Sequence, residues 1–297
     1  MVKTNKDRLL ELNVMGEVNH PQLIGGRSYI TTWDGRPKLS MGYGGINYSV
    51  KVGDPVFGWE EADHAEPGVS VSNKDSGSNN ALCSYSCIGN ESLVLSGDAK
   101  GSLGTVTGKS GYVTMPDSVL VHFDGETLQK LAIGDKVQVR TRGLGLKVEG
   151  FDHVKVYGLD PALLEKMSVR EGGGHLKVPV SMVVPPHLMG QGVGERPTEF
   201  GYWCIQTTCP QSVEENGLRR LRIGDVVALL DQYCGYGRGY LRGAMTIGVV
   251  IHGASDIAGH GPGVNPVITC RSGEVVPRID SGANIARYLA LRKDLGW

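Results

Sequence analysis

The sequence predicts a mainly β protein: an OB-like or Greek-key barrel in the first half, then a second β-rich region with a C-terminal helix. Three observations carry the prediction. Glycine supplies 44 of 297 residues, about twice the ordinary share of roughly 7 %. These glycines fall without a fixed period between short apolar runs, the pattern of many turns between short strands. A Gly-Asp turn also recurs three times, at Lys51–Val56, Ala132–Val137 and Arg222–Val227, each time followed by β-prone residues.

Strand candidates in the first half are 48–52, 93–96, 104–107, 111–115, 118–123 and 136–141, separated by turns such as Asp124-Gly125. Their spacing suits a small barrel. Residues 63–80, rich in Ser, Asn, Asp and Gly, read as a long exposed loop. The barrel domain is placed at 1–158 and the second domain at 159–297. Asp160 and Pro161 open a helix as N-cap and first helical residue, with Leu163, Leu164 and Met167 on its apolar face. Glu171-Gly-Gly-Gly174 ends it, and Pro179, Pro185 and Pro186 hold an extended path into a strand-rich stretch at 200–269. From Ser281 a helix is expected, with Ile285, Tyr288 and Leu289 on one face and Gly296 past its end.

Charge and composition narrow the function classes. A net charge of −1 with interspersed signs gives nucleic-acid binding no electrostatic support. Met1 to His20 contains no apolar signal core, and no run of eighteen apolar residues occurs, so a cytoplasmic protein without a membrane partner is expected. The six cysteines are spread too thinly for a disulfide framework and form no paired CxxC knuckles.

Polar and reactive residue types concentrate between Asp231 and Gly263. Strands expected at 226–230 and 246–251 would end at Asp231 and His252. If the two ends met, a carboxylate would orient an imidazole as general base. Asp231, His252 and His260 are therefore the candidate catalytic residues. Arg238 and Arg242, with Tyr240, would anchor an anionic substrate, and the N–H groups around Gly261 and Gly263 would form an anion nest. His252, Asp256 and His260 also suit a divalent metal ion, although Gly253 and Gly259 argue against the helix that would align them. Cys234 is a nucleophile only if His252 lies beside it; otherwise it is a buried thiol. Of the remaining histidines, His64 and His187 are the best placed to enter a site, because each stands in an expected loop.

Two segments resemble one family. They are Gly104-Thr-Val-Thr-Gly-Lys109 through Val119-Leu-Val-His-Phe123 and Ile133-Gly-Asp135, and Gly239-Tyr240 through Thr246-Ile-Gly-Val-Val250, His252-Gly253 and Ala258-Gly-His-Gly-Pro-Gly263. The family is the domain of unknown function 4438. The resemblance implies a two-part β-rich fold with an OB-like N-terminal barrel, and it carries over no catalytic residues. The leading functional expectation is an enzyme, a hydrolase or lyase, acting on a small polar or anionic metabolite as a homo-oligomer. The alternative is a non-catalytic ligand-binding or assembly protein, in which the tyrosines and arginines of 233–242 form a subunit contact.

Overall fold

The computed structural model describes residues 2–111, 117–194 and 196–295. The chain is mainly β, as expected. Its first half closes a six-stranded antiparallel barrel from β1 (Leu12–Val18), β2 (Gly68–Ser72), β3 (Glu91–Val94), β4 (Leu103–Ser110), β5 (Ser118–His122) and β6 (Lys136–Thr141). The order around the barrel is β1-β6-β3-β4-β5-β2, and β2 pairs back onto β1. Strands β3 to β6 form a Greek key, with the fourth lying beside the first. Alternate residues point inward, so Val69, Val71, Val106, Val119, Val121, Val137 and Val139 form a core with Leu82 of a covering helix.

That helix, α1 (Ser76–Tyr85), corrects the expected loop at 63–80. Asp63 to Glu66 are buried, β2 follows, and Asp75 caps α1 by accepting from the Ser78 N–H. Polar composition misleads here because the serines alternate with buried valines and Asp75 serves as a cap. At 48–52 the strand stops at Ile46–Asn47, where the Asn47 side chain accepts from the N–H groups of Ser49 and Val50 and turns the chain. The expected strand at 111–115 lies almost wholly outside the described residues, as does Gly296.

All three Gly-Asp motifs make the same turn. Gly53, Gly134 and Gly224 hold φ of 99°, 91° and 88°, and Asp54, Asp135 and Asp225 each accept from the backbone N–H three residues back, at 2.8–2.9 Å. The first and third copies also bond to each other, Gly53 N–H to Ile223 O and Ile223 N–H to Asp54 O. This stitches the segment around residue 54 onto the second half.

The second sheet runs β7 (Lys155–Val156), β12 (Gly263–Cys270), β11 (Gly239–Val250), β10 (Val226–Tyr233), β8 (Met182–Val184), with β9 (Trp203–Cys204) paired to β12. Both faces are covered. Val226, Ala228 and Ile247 face a core containing Leu163, Leu164 and Met167, whereas Val227, Leu229 and Val264 face one containing Trp203, Val56 and Ala65. This explains the uninterrupted apolar run at 226–230. Asp160 caps the helix Pro161–Lys166 as expected. The C-terminal helix is a single turn, Ile285–Tyr288, capped by Asn284 and docked through Ile285 and Ala286. It is short because Ala290 takes φ 53° and breaks the run.

The barrel meets the second sheet through Asn265. Its side chain accepts from the Lys109 N–H at 2.6 Å and donates to Lys109 O and Gly201 O at 2.8 Å each. Leu120, Tyr202, Cys204 and Ile251 pack at the same junction.

Candidate functional site

A buried cluster of reactive side chains sits where these parts meet. Residues 62–66 are fixed against the chain that leaves β11: His64 N–H donates to Ala254 O and Gly253 N–H to Ala65 O. His64 takes φ 51°, a left-handed conformation uncommon for residues with a side chain. Asp63 and His64 are thereby turned inward, at 0 % and 1 % exposure. His252 follows the end of β11, His260 precedes β12, and Cys204 ends β9, so four chain segments converge.

Asp63 Oδ1 lies 2.6 Å from His64 Nδ1 and 2.8 Å from the Ser255 hydroxyl, while Oδ2 accepts the Asp256 N–H at 3.0 Å. An ionised carboxylate only accepts, so His64 Nδ1 carries the proton in this pair. The opposite ring nitrogen, Nε2, lies 3.0 Å from His260 Nδ1, and the Cys204 sulfur is 4.0 Å from that same Nδ1. Lys38 Nζ stands 4.0 Å from Asp63 Oδ2 and bonds Asp256 and Ala62 O at 2.7 Å each. Beside Asp63 is a cavity of about 130 Å³ lined by Lys38, Trp59, Ala65, Gly253, Ser255 and Asp256.

Burial alone would raise the Asp63 carboxyl, but the hydrogen bond and charge of His64 outweigh it and hold it below the usual range. Burial lowers His260 to about 4 and also holds His252 well below the usual imidazole range, and the nearby His64 adds to both shifts. Burial pushes the Cys204 thiol up to about 12. At neutral pH His252 and His260 are neutral, the Cys204 thiol is protonated and Asp63 is a carboxylate.

His252 and His260 both enter this cluster, their rings 4.9 and 5.0 Å from that of His64. His252 Nδ1 faces Gly253 O at 2.9 Å and the Gly263 N–H at 3.3 Å. Asp231 is elsewhere. In the β10–β11 hairpin Leu230 pairs with Met245 and Val226 with Val249. The run from Met245 to His252, at about 3.3 Å per residue, therefore puts Asp231 roughly 20 Å from His252. Antiparallel pairing sends the end of one strand to the start of the next, which is why the two expected partners separate. Asp231 sits at a bulge with φ 55° and accepts the Gly243 N–H at 2.7 Å.

The other expected contacts also differ. Arg238 is buried, and its guanidinium donates to Gly192 O and Phe200 O at 2.7 Å each, which commits it to bracing that loop. Tyr240 and Arg242 are exposed on the hairpin. Gly261 and Gly263 are buried packing positions: a Cβ on Gly261 would lie 1.8 Å from Ile205 O, and one on Gly263 2.3 Å from His252 Nε2. Asp256 is turned to Lys38 and does not join His252 and His260 as a ligand set. Cys234 is sealed among Thr246 and Thr269, with burial raising it to about 11. His187 is exposed. Asp63 and Cys204 were not expected, and the adjacent Asp63-His64 pair was the available signal.

The described residues include no helix long and apolar enough to cross a membrane. No curated protein matches the chain. It is similar to the crystal structure of TM1086, at 42 % identity and a TM-score of 0.90, over 97 % of this chain and 99 % of that one. Models of the N-terminal and C-terminal domains of DUF4438, a domain of unknown function, match residues 29–165 and 166–289. The chain therefore belongs to the DUF4438 family.

Proposed function

We propose that the protein is an enzyme acting by hydrolysis or elimination on a small polar or anionic metabolite, with Asp63, His64, His260 and Cys204 as its centre. One observation carries the proposal: a carboxylate, two imidazoles and a thiol from separate segments lie in one buried contact network. Burying such groups costs free energy that apolar packing would avoid. Asp63 holds His64 in one tautomer and orientation, as oriented bases require, and Lys38 at the cavity lip offers a cation to an anionic substrate.

The test is turnover of panels of small carboxylated and phosphorylated compounds, followed by NMR. His64→Gln and His260→Gln should each abolish it with unfolding midpoints close to wild type. Turnover of no compound, or wild-type turnover by both variants, refutes the assignment.

A second proposal, assembly of identical subunits, is favoured at a different place. Tyr236, Tyr240 and Val193 are 85 %, 64 % and 64 % exposed, and Tyr236 and Tyr240 line a groove of about 400 Å³. Aromatic residues of this kind are enriched at interfaces. Light scattering of a Tyr236→Ser, Tyr240→Ser variant should report dissociation; an unchanged mass rejects this face.

A further inference from the structure

We propose that His64, His260 and Cys204 bind one divalent transition-metal ion of the zinc class, leaving a fourth position open to water or substrate. One ligand atom from each residue lies within 4.8 Å of the other two. A tetrahedral ion with bonds of about 2.0–2.1 Å to nitrogen and about 2.3 Å to sulfur separates two nitrogens by about 3.3 Å and nitrogen from sulfur by about 3.6 Å. Here His64 Nε2 and His260 Nδ1 are 3.0 Å apart, and His260 Nδ1 and Cys204 Sγ are 4.0 Å apart. The third pair, His64 Nε2 and Cys204 Sγ, lies within 4.8 Å, so side-chain movements of up to about 1 Å complete the polyhedron.

The surroundings supply an independent argument. Metal-bound histidines commonly donate their second ring N–H to a carboxylate, which fixes the tautomer and aims the other nitrogen at the ion. Asp63 does this to His64, and it is itself held by the Ser255 hydroxyl and the Asp256 N–H. Asp63 is thus a positioning residue. Two imidazoles and a thiolate suit zinc, cobalt or iron, whereas magnesium and calcium require oxygen ligands. On binding, the Cys204 S–H bond is replaced by a sulfur–metal bond, and the proton leaves to solvent. Three protein ligands with an open fourth position is the arrangement of catalytic zinc sites, where bound water ionises near pH 7. The inference deepens the enzyme proposal by naming what activates the attacking water, but metal uptake is measured separately from turnover.

The test is a cobalt(II) titration of the full chain after chelator treatment, in a Cys209→Ser background because Cys209 is an exposed thiol. The expected result is one equivalent bound, with intense four-coordinate d–d absorption and a thiolate-to-cobalt charge-transfer band. Zinc should displace the cobalt and magnesium should not. Cys204→Ser should remove the charge-transfer band, and His260→Gln should weaken binding at least about 100-fold. Asp63→Asn should weaken it roughly 10–100-fold, the usual cost of losing such an outer partner. Absence of the band in folded wild type, or a band that survives Cys204→Ser, overturns the site. If a variant fails to fold, the wild-type titration alone decides, with far-UV circular dichroism as the control. Turnover lost in His64→Gln by a chain that binds no cobalt would sink the metal and keep the enzyme; cobalt binding without turnover would do the reverse.

Discussion

Replacing Asp63 should reveal how strongly the convergence of segments depends on one carboxylate. Its oxygens receive His64 Nδ1–H at 2.6 Å, the Ser255 hydroxyl at 2.8 Å and the Asp256 N–H at 3.0 Å, at 0 % exposure. Hydrogen bonds to an ionised acceptor contribute about 1.5–3 kcal/mol each. They are not additive here, because Ser255 borders a cavity and can turn toward it, whereas His64 is sealed. Removing one member of a buried pair costs about 3–5 kcal/mol, so Asp63→Ala should lose about 4 kcal/mol. Asp63→Asn keeps one accepting oxygen and should lose about 2 kcal/mol. Against a total of about 5–15 kcal/mol for a folded domain, both variants should remain measurable. Urea unfolding at pH 7, followed by fluorescence of the fully buried Trp203, gives the values. Ser255→Ala should cost about 1–2 kcal/mol in wild type but little in Asp63→Ala, a coupling of about 1 kcal/mol or more. A loss below about 1 kcal/mol for Asp63→Ala, or simple additivity with Ser255→Ala, would refute the view that this carboxylate ties the segments together.

Gly263→Ala places a methyl 2.3 Å from His252 Nε2 and 2.8 Å from Tyr202; overpacking of this kind should cost about 1–3 kcal/mol by urea unfolding. Arg238→Met should destabilise by about 3 kcal/mol because Gly192 O and Phe200 O lose their buried donor, whereas exposed Arg242→Ala should stay within about 0.5 kcal/mol. Burial holds His122 below the ordinary imidazole range. Its neutral form therefore favours the fold above the unfolded value of about 6.5, and that contribution is lost as pH falls below it. His122→Gln should flatten the decline in unfolding free energy between pH 7 and 5, and an unchanged slope would count against its buried neutral state.

The architecture was legible wherever local chemistry decides conformation. The three Gly-Asp turns, the Asp160-Pro161 helix start and the strand at 136–141 all follow from residues adjacent in the chain. The loop expected at 63–80 fails because a serine-rich strand looks polar until the barrel closes around its valines. Half of the site was legible as well: His252 and His260 were singled out from a dense glycine-rich stretch, and both lie in the cluster.

Of their partners only His64 was singled out, from its expected loop. Asp231 is near His252 in sequence but roughly 20 Å away in space, because an antiparallel hairpin carries a strand's far end away from its neighbour's start. Asp63 reaches Ser255 across 192 residues and Cys204 reaches His260 across 56, which no local pattern encodes. Spacing along the chain sets turns, caps and strand faces through short-range sterics and hydrogen bonds; which imidazole meets which carboxylate is set by sheet register and by the backbone bonds that pin residues 62–66 to 253–254.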